Sequence, residues 1–290
     1  MNGILLIDKP AGWTSSDVVV KLKGVLHERR IGHAGTLDPM ATGLLTVFVG
    51  RATRAVEFAE ADSKRYVASL RLGTVTDTLD ITGTVLAQNP VSVTREELEN
   101  VLTRFLGEQE QLPPMYSAIK VKGKKLYEIA RAGGTVERKP RHITISELVL
   151  AGEDNGDYVL DIACSKGTYI RSLCADIGSA LGCGGCMSAL RRTQAGIFDL
   201  SSSHTLDEVI SAANEGNAQQ LLLPVDSLFA AHPAWTADEY AERRIKCGNA
   251  VPARELAEGE YRVYSQSGEF LMLGRCKDGM MITVKSFFEV

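Results

Sequence analysis

The segment RIGHAGTLDPMATGLL, Arg30 to Leu45, places an imidazole and a carboxylate, His33 and Asp38, on a turn that also carries Gly32, Gly35 and Gly43. Glycines at Gly32 and Gly35 leave room for the backbone to approach a ligand closely. His33 and Asp38 could then face the same ligand. The GK[ST] ending of a phosphate-binding loop is missing, so nucleotide hydrolysis is not indicated. Asp38 has a second reading. Asp-Pro makes a good helix N-cap with proline at the first helical position, and the carboxylate would accept from the N–H groups of Met40 to Thr42. Spacing alone leaves both readings open.

A carboxylate that acts as nucleophile or base needs a cation to hold it ionised and aimed. CSKGTYIRSL, Cys164 to Leu173, offers Arg171 beside Tyr169 on a helix that follows a glycine turn. A surface helix arginine would read the same way. Tyr66, in KRYVASL, is either a core strand tyrosine or a stacking platform for a base. Cys183 and Cys186, in CGGC, fit a redox pair or half a zinc site, but no second CxxC and no neighbouring His complete one.

The elements that position these residues alternate between types. GILLIDKP reads as a strand. SSDVVVKLKGVLHERR reads as a helix capped by Ser15 or Ser16, with Val18, Val19, Leu22, Val25 and Leu26 on one face. LLTVFVG, 44–50, is a buried strand. TRAVEFAEAD is a short helix, KRYVASLRLG a half-buried strand, and GTVTDTLDITG a loop. Capping boxes at Thr94/Glu97 and Thr205/Glu208 open two further helices. Strands are expected at about 141–150 and 157–164, a helix over GTYIRSLCADIGSALG, and a strand over MSALRRTQAGIFDL. Gly-punctuated short strands from about 240 read as a small β-barrel-like domain. Hairpins mixed with crossovers argue for an α+β fold with a central mixed, largely antiparallel sheet flanked by helices. The boundary falls near 230, giving domains 1–230 and 231–290.

With 290 residues, 44% of them apolar and 23% charged, the chain can bury a sizeable core. It has no apolar run of membrane-spanning length, and its start does not read as a signal peptide. Six cysteines in such a chain are expected to be reduced thiols, which suits a cytoplasmic protein. The net charge of −4 does not advertise nucleic acid, but its distribution does. Met115 to His142 holds eight Lys/Arg against two acids, and KLKGVLHERR forms a second basic cluster. Locally basic surface can hold a polyanion within about one Debye length, roughly 8–10 Å. A merely solvated basic face is the alternative.

Five motifs, GILLIDKPAGWTSSDVV, GHAGTLDPMATGLL, KRYVASLRLGTVTDTLDITG, PPMYSAIKVKGKKLYEIARAG and CSKGTYIRSL, together resemble the bacterial TruB family, tRNA pseudouridine synthases acting on uridine 55 of the T loop. The resemblance runs from residue 1 to about 200. It implies a pseudouridine synthase fold, and the tail resembles the family's small PUA-type RNA-binding domain. It assigns Asp38 as the catalytic aspartate, Tyr66 as the stacking tyrosine and Arg171 as the partner of the carboxylate. His33 would place the flipped nucleotide, Asp80 would contact the RNA region, and Leu190 would line an apolar pocket. Gly35, Thr36 and Lys64 join the substrate-binding set. Lys120, Lys122 and Lys124 would clamp the T-arm. The implied partner is tRNA, with no metal, no cofactor, no membrane and no obligatory protein partner; a monomer is expected. Three rivals stand beside this reading: an RNA chaperone in which Asp38 only caps, a synthase with another RNA target, and a redox or zinc protein built on Cys183 and Cys186.

Overall fold

A nine-stranded sheet carries the glycine turn and everything that reaches it. The computed structural model describes residues 1–60, 63–117, 119–121 and 123–288. The first strands are β1 (Gly3–Lys9), β2 (Ile31–Ala34), β3 (Thr42–Val49) and β4 (Lys64–Leu72). β1 and β3 are buried on both faces, which is why they read as unbroken apolar runs. β4 alternates, with Lys64, Tyr66, Ala68, Leu70 and Leu72 on its buried face. A separate hairpin follows, β5 (Thr74–Thr76) and β6 (Val85–Gln88), where the sequence suggested only loop. Then come β7 (Gly107–Gln111), a two-residue hairpin of β8 (Lys120–Val121) and β9 (Lys124–Lys125), β10 (Arg141–Asp154), β11 (Asp157–Cys164), β12 (Gly185–Ala195) and β13 (Phe198–Asp199).

The large sheet runs β1-β3-β12-β4-β11-β10-β7, with β2 on β3 and β13 on β12. Its one parallel pair joins Thr42–Gly43 of β3 to Arg191–Arg192 of β12; the rest is antiparallel. β3 thus shares one edge between β2 at its far end and β12 at its start. Residues 35–41 join β2 to β3 beside that changeover, and their backbone is not tied into a ladder.

Helices α1 (Ser15–Val25), α2 (Val56–Glu60), α3 (Arg95–Leu102), α4 (Leu126–Arg131), α5 (Ile170–Ala180) and α6 (Leu206–Asn214) pack around this sheet. The capping boxes of α3 and α6 form as expected. α1 is capped by Thr14 and not by Ser15 or Ser16, because the box needs an acid three residues on and Asp17 supplies it to Thr14. Ser15 is left free to brace the turn next to Asp38. Its buried hydroxyl donates to Leu37 O and accepts from Leu37 N.

The C-terminal strands are β14 (Ala234–Thr236), β15 (Val251–Pro252), β16 (Gly259–Tyr264), β17 (Phe270–Lys277) and β18 (Met280–Ser286), in the order β14-β16-β17-β18-β15. A seventh helix, α7 (Glu239–Lys246), packs on them; the sequence reading missed it. This sheet has its own core around Ile245, Val263 and Met281. It also shares one with the large sheet, where Leu273 and Phe287 pack with Phe48 and Phe229. The Phe229 ring lies edge-on to Phe58 at 5.2 Å and tilted to Phe287 at 5.9 Å. Lys285–Glu57 and Tyr264–Asp226 contacts, both 2.6 Å, flank the joint. Phe229→Ala should therefore cost about 3–5 kcal/mol, read as a lower midpoint in urea unfolding; a loss under about 1 kcal/mol would mean the shared cluster carries little of the fold.

Candidate active site

Backbone contacts hold the turn that carries Asp38. Gly35 takes φ +71°, a left-handed conformation that favours glycine. Gly12 N donates to Pro39 O at 2.8 Å, and Ala41 N donates to Asp38 O at 3.1 Å. Lys9, wholly buried, donates from Nζ to Pro10 O, Trp13 O and Pro39 O at 2.9, 2.7 and 3.3 Å. No helix follows Asp38; β3 does. The carboxylate is not an N-cap, and both its oxygens go to Arg171 instead.

Arg171 is the centre of the site. Gln111 fixes the start of α5 by accepting from Tyr169 N at 2.7 Å and donating to Tyr169 O at 3.0 Å. Two residues on, the Arg171 side chain, 7% exposed, is surrounded by acceptors. Nε reaches Asp38 Oδ2 at 2.9 Å and Nη2 reaches Asp38 Oδ1 at 3.3 Å. Nη2 also donates to Tyr116 O at 2.8 Å. Nη1 donates to Thr78 O at 3.2 Å and Asp80 Oδ2 at 3.3 Å. These contacts occupy all five guanidinium N–H groups. One cation thereby fixes the Asp38 turn, the β5–β6 hairpin and the segment leading into the basic 115–142 region.

Asp80 differs from the expectation. It is 4% exposed and fully engaged, by Arg171, by the Thr78 hydroxyl and by the backbone and hydroxyl of Thr82. A carboxylate so enclosed cannot be a surface contact for RNA; it is the second anion on Arg171.

Asp38 leaves 34% of its side-chain surface open. Burial by the surrounding walls still pushes its carboxyl above the ordinary range, opposed by Arg171, reinforced by the Asp80 charge, and opposed again by Lys9. Lys9 itself is pushed down to about 8 by burial, with the Asp38 charge opposing. It is thus charged at neutral pH. His33, on β2, is held below its usual value by burial and by Arg192, so it stands as a neutral imidazole whose buried Nδ1 has no partner among the described residues. Tyr66 is 9% exposed, and burial pushes its hydroxyl up. The Tyr169 hydroxyl lies beside Ser117.

Of the remaining expected residues, Thr36 is exposed on the turn. Leu190 packs in the cluster that contains Tyr66, Leu37 and Ala41. Lys64 is buried on the inner face of β4 with its Cε beside Gly35, so it lies beneath the turn and not on the surface. Lys124 is exposed on β9, Lys120 contributes its backbone to β8, and Lys122 lies outside the described residues.

The CGGC turn serves packing. A Cβ at Gly178 of α5 would stand 2.3–2.6 Å from the backbone of Gly184 and Gly185, so the glycines let the helix lie on the turn. Cys183 and Cys186 are buried, and burial pushes the Cys186 thiol up, away from the reactive thiolate. No group of His, Cys, Asp and Glu among the described residues is arranged to hold a metal. Sequence reasoning missed Ser15, Lys9 and Arg192. The last two were detectable as charges two residues along a strand from a buried apolar residue, Ile7 and Leu190.

The family model described as TruB family pseudouridylate synthase (N terminal domain) matches residues 23–170, and that described as tRNA pseudouridylate synthase B C-terminal domain matches residues 171–230. A tRNA pseudouridine synthase B of Azoarcus sp. is 44% identical over 281 residues, 97% of this chain and 93% of the relative. One of Ralstonia pickettii is 47% identical over 257 residues, 87% of this chain and 80% of the relative. A chain in the crystal structure of a Cbf5–Nop10–Gar1 complex superposes with a TM-score of 0.75 at 26% identity, covering 99% of this chain and 85% of that one.

Charge removal should separate the two members of the pair. Arg171→Met strands an enclosed carboxylate, Asp80, and a partly open one, Asp38, and should cost about 3–5 kcal/mol in urea unfolding. Asp38→Asn should leave stability at pH 7 unchanged or raised, because the fold already favours the neutral carboxyl. An Asp38→Asn protein as unstable as Arg171→Met would show Asp38 to be structural.

Proposed function

Because the chain belongs to the TruB family of pseudouridylate synthases, we propose that it isomerises uridine 55 in the T loop of tRNA to pseudouridine with Asp38 as the nucleophile. The supporting observation is the partly open carboxylate gripped at both oxygens by a buried arginine with no donor to spare. Such a group is aimed, kept from swinging, and more basic than an ordinary aspartate.

The substrate base must leave its loop to be reached, which costs a few kcal/mol. Stacking on Tyr66 supplies about 1–3 kcal/mol in return. Asp38 then attacks. At C1′ of the ribose it breaks the N-glycosidic bond and releases the base as uracilate. At C6 it adds to the conjugated ring, and the N1–C1′ bond then breaks to leave the base held on Asp38. On either route the base turns, C5 bonds to C1′, C5 gives up its proton, N1 takes one, and the bond to Asp38 breaks to free the carboxylate. The product is an isomer of the substrate, so atoms and electrons balance without a co-reactant. Uracilate delocalises its own charge, and hydrogen-bond donors suffice to hold it.

The basic segment 115–142 would clamp the T-arm through phosphates and 2′-hydroxyls. Its start is bonded to Arg171 through Tyr116 O, so a clamp closing there bears on the catalytic carboxylate. In this reading residues 1–230 form the catalytic domain. Residues 231–290 form a PUA-type domain that contacts RNA further along. The chain acts alone, as a monomer in the bacterial cytoplasm.

Unmodified tRNA transcript incubated with the protein should give a carbodiimide-dependent primer-extension stop at the T-loop uridine, absent with Asp38→Asn. A stop with both proteins would return Asp38 to a structural role. Binding without a stop from either would favour a chaperone or another target RNA.

The pH profile gives a second check. Attack needs an ionised Asp38, so the single-turnover rate should fall on the acid side at a pH above that of an ordinary aspartate. Stability has the opposite sign there: the folded carboxyl binds its proton more tightly than the unfolded one, so folding weakens as pH rises through that window. Asp80→Asn, which removes a charge that raises Asp38, should move the acid limb to lower pH; an upward move would contradict this electrostatic account.

A further inference from the structure

Arg192 has no part in the mechanism above, yet it is the largest side chain wholly inside the protein, 1% exposed on β12. Its neighbour Arg191 pairs at the surface with both oxygens of Asp8. Arg192 pairs with no carboxylate among the described residues. Its hydrogen-bond partners are backbone carbonyls of two elements. Nε donates to Leu44 O of β3 at 2.7 Å, and Nη2 donates to Gly35 O of the glycine turn at 2.9 Å. The guanidinium also lies beside Tyr66, its register partner across β12 and β4.

The chain makes room for this cation. A Cβ at Gly35 would come within 3.2 Å of Arg192 Nη1. A Cβ at Gly43 would stand 2.3 Å from Arg192 O and 2.8 Å from Arg192 N. Gly43 on β3 thus makes way for the backbone at Arg192, and Gly35 on the turn leaves space for its guanidinium. Stability does not call for such a group, since replacing a buried ion by packed apolar atoms is often neutral or favourable. What the guanidinium does is join the turn that carries Asp38 to the ring that receives the base.

We infer that Arg192 is a positioning residue of the reaction: it fixes the Tyr66 ring through its hydroxyl and the Asp38 turn through the Gly35 carbonyl, setting the distance between stacked base and nucleophile. The inference rests on the reading of Tyr66 as the stacking platform. A planar fork can serve oxygens in different directions at once, whereas a lysine ammonium on a flexible stem cannot hold them in one plane. Misplacing bound reactants by about 1 Å can cost on the order of a hundredfold in rate without weakening binding.

The test is a double-mutant cycle with Arg192→Lys, which keeps the charge, and Tyr66→Phe, which removes only the hydroxyl. Single-turnover pseudouridine formation and Kd are measured on the same tRNA transcript. Arg192→Lys should lower the rate at least about tenfold while Kd stays within about threefold. Because both substitutions break one contact, the double variant should be no slower than the slower single variant. Wild-type turnover in Arg192→Lys, losses that multiply in the double variant, or a loss confined to Kd would each overturn the inference. A wild-type protein that forms no pseudouridine would instead refute the reading of Tyr66 and Asp38 on which it rests.

Discussion

A single buried guanidinium shared by two carboxylates governs this structure. Arg171 brings one positive charge to Asp38 and Asp80, so the cluster keeps a net negative charge that burial cannot screen. Asp80 is enclosed and held by threonine hydroxyls and backbone. Asp38 is the one of the two that stays partly open. Lys9 answers part of the imbalance from below, and its Nζ grips the backbone on the far side of the same turn. The carboxylate is thus fixed at its oxygens by one cation and at its backbone by another.

The sheet exists in its observed order to bring these groups together. β3 pairs with β12 at its start, next to the Asp38 turn, and with β2 further along, and the parallel contact of Gly43 with Arg192 needs a residue without Cβ there. β4 lies on the other side of β12 and sets Tyr66 opposite Arg192. α5 delivers Arg171 from one end, while Gln111 at the sheet edge fixes its register. Residues near 9, 15, 38, 66, 80, 111, 116, 171 and 192 meet within one site, so no short stretch of sequence contains it.

That dispersion explains what the sequence revealed and what it hid. Local signals translated well: β4 alternates as KRYVASLRL suggests, and the boxes at Thr94/Glu97 and Thr205/Glu208 form. The cap of α1 moved by one residue because three consecutive hydroxyls compete and the acid at 17 selects Thr14. β2 is four residues with a glycine and a histidine, too short and too weak in strand propensity to read. α7 buries only Ala241 and Ile245, and its charged remainder hid it among Gly-punctuated strands. Asp38 and Arg171 stood out through a family resemblance; their bidentate contact spans 133 residues of sequence and no periodicity predicts it. Asp80 looked like a loop acid because its burial comes from α5 and β12, both distant in the chain.

The most direct measurement is a pH titration of the Asp38 carboxyl by carbon-13 NMR, in the wild-type protein and in Arg171→Met. The wild-type carboxyl should titrate above the ordinary aspartate value of 3.8 and yet be ionised at pH 7. Loss of the guanidinium should raise it further. A carboxyl that titrates at or below 3.8, or one that does not respond to the loss of Arg171, would contradict the central role given to this ion pair.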